Sequence, residues 1–253
     1  MYKEMDVYYF SGTGNTKFIM DKVVQTLEEK GARINSYPIE KGYIEKKDKD
    51  IPLILAFPVN SQSISPFIWK FLKRLPRTGG KRVYALVTLN DSSGIIKPLG
   101  KLLENKGYDP AGVCEISLPN NMLVKPADES QDSERLVKGI EKALKFADII
   151  AEGKNAGWIQ EYKGSGFVSF LSRYTGLTWF SMRALLKLKT DNELCKHCGL
   201  CVKQCPVGNI READYMRHGN RCEFCMRCAA NCPEKAIFIK GKKSISIRKS
   251  IGL

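Results

Sequence analysis

The chain has 253 residues, a formal net charge of +14 and a sequence pI of about 9.3. That length allows two domains with cores of their own, and no run is long enough to cross a membrane as a helix without meeting a charge. With two histidines in all, no Ser/His/Asp or Cys/His pattern for nucleophilic catalysis is visible.

The positive charge is uneven. Residues 155–253 carry +10 and residues 1–154 only +4. A basic domain points either to nucleic acid or to an acidic surface. No run of Lys and Arg is interleaved with aromatics in a nucleic-acid module, so nucleic acid is not expected as a partner.

Residues 1–153 alternate strand and helix patterns. Val7–Phe10 is a short apolar run of the kind a buried strand has. It ends in Ser11-Gly12-Thr13-Gly14-Asn15-Thr16, and a helical spacing follows at Phe18, Ile19, Val23, Val24 and Leu27, up to Gly31. Arg33–Ile39 reads as a second strand and Ile51–Phe57 as a third, with a helix over Ser65–Leu75. Arg82–Leu89 is a fourth, followed by a helix near Ile95–Asn105. Val113–Leu118 is a fifth, and Ser130–Glu152 a long helix. Strands separated by helices imply a parallel sheet with helices on both faces. Cys114 shares a strand face with Ile116 and Leu118, so it reads as a buried, inert thiol.

The loop Ser11–Thr16 joins a strand to a helix N-terminus, where a phosphate can bind. Its glycines let several N–H groups turn toward one anion, its hydroxyls add donors, and the helix dipole favours negative charge. Neither a G-x-G-x-x-G fingerprint nor the Gly-Lys-Ser/Thr of a P-loop is present. With Tyr9 and Phe10 before it, the loop is similar to the FMN-phosphate signature of flavodoxins. The resemblance implies a doubly wound α/β domain with strand order 2-1-3-4-5 and FMN at the switch point. It gives Ser11, Gly12, Thr13, Gly14, Asn15 and Thr16 to the phosphate. It gives the flavin ring two later loops: Pro58-Val59-Asn60-Ser61-Gln62, and Asn90-Asp91-Ser92-Ser93-Gly94. Flavodoxins often sandwich the ring between aromatics of these loops, and this chain has none in either. Another surface is therefore expected over the flavin, with the C-terminal domain the nearest candidate. Asp91 is either a proton relay to the flavin or an ordinary turn residue.

Residues 154–190 are transitional. Gly164, Gly166 and Gly176 interrupt an aromatic-rich stretch, Phe167–Met182. We read it as packing between domains, with a segment lying on a membrane surface as the alternative.

Eight of the nine cysteines then fall into two copies of one spacing. The first is Cys195-x2-Cys198-x2-Cys201-x3-Cys205-Pro206, and the second is Cys222-x2-Cys225-x2-Cys228-x3-Cys232-Pro233. Paired Cys-x2-Cys also reads as zinc. Zinc explains neither a third cysteine at the same step nor the proline after the fourth. A disulfide framework belongs to short secreted chains, and no secretory signal is visible. The runs resemble the bacterial ferredoxins that carry two [4Fe–4S] clusters in a small α+β domain. In that family the fourth cysteine of each run ligates the other run's cluster. The resemblance so assigns one cubane to Cys195, Cys198, Cys201 and Cys232, and the other to Cys222, Cys225, Cys228 and Cys205. Thiolate ligands to iron imply a reducing compartment, the cytoplasm by default. His197 and His218 lack metal-pair spacing and read as surface residues.

Taken whole, the chain resembles the fused flavodoxin–ferredoxin family. That implies an FMN domain at 1–153, an interdomain segment at 154–190, a cluster domain at 191–239 and a basic tail at 240–253. The expected function is electron transfer between two [4Fe–4S] clusters and FMN, with a redox protein of acidic character as partner. The alternatives are a reductase of a small molecule or quinone, and a membrane-docked electron-delivery module.

Overall fold

A computed structural model describes residues 2–44, 51–60, 62–120, 129–214 and 216–239. Ser61 and the basic tail 240–253 lie outside the described residues. Five strands, β1 (Glu4–Tyr9), β2 (Arg33–Pro38), β3 (Leu53–Pro58), β4 (Lys81–Leu89) and β5 (Tyr108–Ser117), form one sheet. Their order is β2-β1-β3-β4-β5 and every pairing is parallel. This is the doubly wound flavodoxin-like arrangement, with the switch point between β1 and β3.

The strand sequences explain the layering. A parallel sheet buried on both faces needs near-continuous apolar strands, and β3 (Leu-Ile-Leu-Ala-Phe-Pro) is one. Successive residues alternate between two cores. Leu53, Leu55 and Phe57 face α2 (Pro66–Arg74) and α3 (Ile96–Glu104), beside Tyr8, Val83 and Val87. Ile54 and Ala56 face α1 (Asn15–Glu29) and α4 (Glu129–Ala151), beside Met5, Val7, Leu86 and Ile116. Cys114 belongs to this second core, and burial pushes its thiol up to about 12, as an inert thiol requires.

Strand β5 starts at Tyr108, earlier than the apolar pattern predicts. Pro110 lies within it, opposite an irregularity at Val83 and Tyr84. An edge strand tolerates such a proline. The outer edge of β5 is covered by residues after α4: Ala156 N–H donates to Ala111 O and Val113 N–H to Gly157 O. Glu115, fully buried, accepts from the backbone N–H groups of Glu161 and Tyr162 at 2.7 and 3.1 Å. Both bonds go to Oε2, and they fix where the segment leaves the sheet.

Beyond it come α5 (Gly166–Phe170), a π turn over Leu171–Thr175 and α6 (Leu177–Leu185). They are separated at Gly176, whose φ of 65° is easy for glycine. The small α+β domain holds β6 (Leu188–Thr190), α7 (Leu200–Gln204), β7 (Ile210–Arg211), β8 (Arg217–His218), α8 (Arg227–Ala230) and β9 (Ile237–Ile239). Strand β6 pairs antiparallel with β9, and β7 with β8. Trp179 of α6 is buried in the small domain's core with Leu188, Phe224, Met226, Ile237 and Ile239. The interdomain segment thus supplies part of that core. Among the described residues, no helix is long and apolar enough to cross a membrane.

Candidate functional site

The C-terminal ends of β1, β3, β4 and β5 open into a cavity of about 620 Å³. That volume suits a cofactor-sized ligand. Ser11, Gly12, Thr13, Asn15 and Thr16 line it from the β1–α1 loop. Pro58, Val59, Asn60 and Gln62 line it after β3, and Asn90, Asp91 and Ser92 after β4. Among the described residues, none that lines it is Lys, Arg or His. The helix behind the loop is long enough to present its unpaired first-turn N–H groups, and no acidic side chain sits in that turn. Gly14 caps α1 with φ 113°, and its N–H donates to Ser11 Oγ. Thr16 and Thr88 are both buried and share a hydroxyl hydrogen bond of 2.7 Å. Arg135 of α4 pairs with Asp91 at 2.9 Å and donates to Asn90 Oδ1, so Asp91 is held as an ion-paired turn residue.

Gly14, Ser93 and Gly94 stand behind this wall rather than in it. Ser93 O accepts from Gln160 Nε2, and Gly94 O from Ser169 Oγ. A Cβ on Gly164 would lie 2.1 Å from Ser93 O. The loop Asn90–Gly94 therefore packs under the interdomain segment. Sequence reasoning missed Thr88 and Leu89, and also Leu118, Pro119 and Asn120 after β5. The topology offered a signal for them, since every parallel strand ends on this side.

The remaining wall comes from outside the five-stranded sheet domain. Val168 and Thr178 come from α5 and α6, and Phe224, Cys225 and Met226 from the second cysteine run. Arg227 fastens this contact. Its guanidinium donates to Ser11 O at 2.9 Å through Nη2, to Glu40 Oε1 at 2.6 Å through Nη1, and stands 4.7 Å from the Phe10 ring centroid. On the other side, Glu223 accepts from Phe67 N–H at 3.0 Å, and burial pushes its carboxyl up.

The cysteines group across the two runs. Cys195, Cys198, Cys201 and Cys232 line one small cavity, and Cys205, Cys222, Cys225 and Cys228 line another. Positive φ at His197, Phe224 and Met226 turns the loop backbone around these holes. The fourth cysteine of each run is treated alike: Asn209 N–H donates to Cys205 Sγ and Ala236 N–H to Cys232 Sγ, at 3.2 and 3.3 Å. None of the eight is in a disulfide. Among the described residues, no three His, Cys, Asp or Glu side chains close on a single ion; each quartet surrounds a space. Burial pushes the Cys225 thiol up to about 12 and raises those of Cys201, Cys222 and Cys228. Four thiolates in such surroundings need a polycationic core to offset their charge. The donor set and the enclosed space fit an iron–sulfur cubane.

Cys225 belongs to both the second quartet's cavity and the large cavity. His218 departs from the surface position expected for it. It lines the second quartet's cavity, its Nε2 bonds Thr190 Oγ1 at 2.9 Å, and burial pushes its pKa down to about 4. The cause is the β7–β8 ribbon, which folds His218 back over the second run. His197 is exposed, as expected.

Residues 188–211 match the family described as the 4Fe-4S binding domain. This part of the chain is similar to iron–sulfur domains. The match spans the first cysteine run and ends before the second. No curated protein is significantly similar to the chain. Among solved structures, a flavodoxin of Streptococcus pneumoniae TIGR4 is 16% identical, covering 59% of this chain and 99% of its own, with a TM-score of 0.44. Flavodoxin 1 of Bacillus cereus is 17% identical, covering 59% and 97%, with a TM-score of 0.42. The flavodoxin of Megasphaera elsdenii is 21% identical, covering 56% and 98%, with a TM-score of 0.38.

Proposed function

We propose that the chain is an electron-transfer protein of the fused flavodoxin–ferredoxin type, passing electrons between two [4Fe–4S] clusters and FMN. The observation that carries this reading is Cys225, a wall of both the second cysteine cavity and the large cavity. Met226 lines both cavities as well, so a ligand in one would lie next to a ligand in the other. The FMN domain is residues 1–153 and the cluster domain 191–239, the latter extended by β6 of the interdomain segment.

FMN would supply one- and two-electron chemistry when bound. The rest is the work of this chain's residues. Ser11, Thr13, Asn15 and Thr16 offer hydroxyl and amide groups with the first-turn N–H groups of α1, a donor set without formal charge that suits a monoester phosphate. Pro58, Val59, Asn60, Asn90, Asp91 and Ser92 frame the ring side. Phe224, Met226 and Val168 exclude water from the covered side. Arg227 and Glu223 hold the cysteine loop against the cavity.

In this reading Cys205, Cys222, Cys225 and Cys228 hold the cluster next to the flavin. Cys195, Cys198, Cys201 and Cys232 hold the outer one, which reaches the surface at exposed Cys198. Cys198 would present the outer cluster to a redox partner, and Cys225 would present the inner one to the flavin cavity. The basic C-terminal half fits an acidic redox protein as partner. Thiolate-bound iron needs a reducing compartment, and on that ground we assign the cytoplasm. Anaerobic protein should contain about eight iron and eight sulfide per chain, with about one FMN. Protein holding two zinc ions and no charge-transfer absorption would overturn the reading.

A further inference from the structure

The segment between the two domains is folded with its apolar side outward. Phe167, Phe170, Tyr174, Leu177, Phe180 and Leu185 are exposed by 71, 50, 63, 52, 68 and 76%. Their spacing of three to five residues keeps them on one side of successive helical turns, in spite of the break at Gly176. The inward side holds Ser169, Ser172 and Trp179, all buried. Ser169 Oγ donates to Gly94 O, and Trp179 Nε1 donates to Ser172 O. These two hydrogen bonds fix the orientation. A surface helix ordinarily shows the reverse polarity. Single exposed apolar residues are normal, but six on one side of one short segment mark a docking face.

Charge selects the occupant. From Tyr162 to Thr190 the chain has five basic residues and no acidic one. Lys163 stands exposed before the apolar face, and Lys187 and Lys189 exposed after it. Arg173 lies over the Tyr174 ring, 4.4 Å from its centroid. We propose that this face docks peripherally on an anionic lipid bilayer, aromatic and leucine side chains entering the interface and the lysines pairing with headgroups. A second copy of the chain fits the face poorly, because a twofold contact would bring basic residues against basic residues. Val168 and Thr178, which line the large cavity, are chain neighbours of Phe167 and Leu177. Docking would therefore set one wall of that cavity beside the bilayer.

The test is co-sedimentation of the anaerobic full chain with phosphatidylcholine vesicles, with and without phosphatidylglycerol. The anionic vesicles should bind more than about tenfold better than the neutral ones, and less well as salt rises. Phe167→Ser/Phe180→Ser/Leu185→Ser should weaken binding to the anionic vesicles by more than about tenfold. Iron and flavin content report that this variant is folded. Lys163→Glu/Lys187→Glu/Lys189→Glu leaves the apolar side intact and should lose the preference for anionic vesicles. Failure of the wild-type chain to bind, or equal binding by the folded serine variant, would overturn the proposal. So would a wild-type dimer that the serine variant converts to monomer, since the face would then join two copies.

Discussion

Gly12 and Cys225 are in backbone contact: a methyl group on Gly12 would lie 1.9 Å from the carbonyl oxygen of Cys225. No side chain could yield to relieve that clash. Arg227, two residues on, holds the same loop through Ser11 O. The phosphate-type loop and the second cysteine loop therefore form one unit. Gly12→Ala should part them at a cost of about 1–3 kcal/mol, the range for overpacking. Hydrogen exchange at the amides of residues 10–14 and 223–227 should quicken by about tenfold or more. Unchanged protection would mean that the contact does not persist in solution.

Replacing Thr13 and Thr16 with Val removes two hydroxyls from the cavity wall and nearly preserves shape. The buried Thr16–Thr88 hydrogen bond goes as well. Hydrogen bonds to a charged group contribute about 1.5–3 kcal/mol each. FMN affinity should fall at least about a hundredfold, at about 1.4 kcal/mol per tenfold. A fluorescence titration of flavin-free protein reads this directly, and an unchanged affinity would put the phosphate elsewhere.

Cys205 belongs to the first run in sequence and to the second quartet in space. Cys205→Ser should therefore damage the cluster of Cys222, Cys225 and Cys228 and spare the one held by Cys195, Cys198 and Cys201. Electron paramagnetic resonance of the reduced variant separates the two results. Loss of the cluster held by Cys205's own run would refute the crossed grouping.

His218 makes stability depend on acid. In the chain without clusters its pKa falls from an ordinary 6.5 to about 4, chiefly through burial, and the test below applies to that form. The unfolded chain then binds the extra proton between those values. The contribution is fully present above about 6.5 and is lost as pH falls toward 4. Nδ1 has no hydrogen-bond partner, so the protonated ring would leave a buried donor unsatisfied. His218→Gln should lose less melting temperature than the wild type on going from about pH 7 to pH 5. An equal loss in both would assign the acid sensitivity to another group.

How much was readable before the structure depends on the range of the interactions. Ser11–Thr16 and the cysteine runs were readable because their geometry is set within one loop. The strand order followed from the resemblance and from strands alternating with helices. The role of Phe224, Cys225 and Met226 as a cavity wall was not readable residue by residue, because it rests on contacts more than two hundred positions apart, such as that of Arg227 with Ser11. That the carbonyls of Ser93 and Gly94 accept from Gln160 and Ser169 was not readable either, because those partners lie more than sixty positions away. The aromatic stretch was expected to pack between domains. Trp179 is buried in the small domain's core and Ser169 bonds Gly94 of the sheet domain, while Phe167 and Phe180 face outward.

The central claim is that flavin and clusters exchange electrons within one chain. Rapid one-electron reduction of the iron–sulfur centres, followed by the flavin absorbance at several protein concentrations, tests it most directly. The account predicts flavin reduction at a rate independent of concentration, and a slower one in Gly12→Ala. A rate that rises in proportion to protein concentration would mean that electrons pass between molecules, and would contradict the internal redox chain.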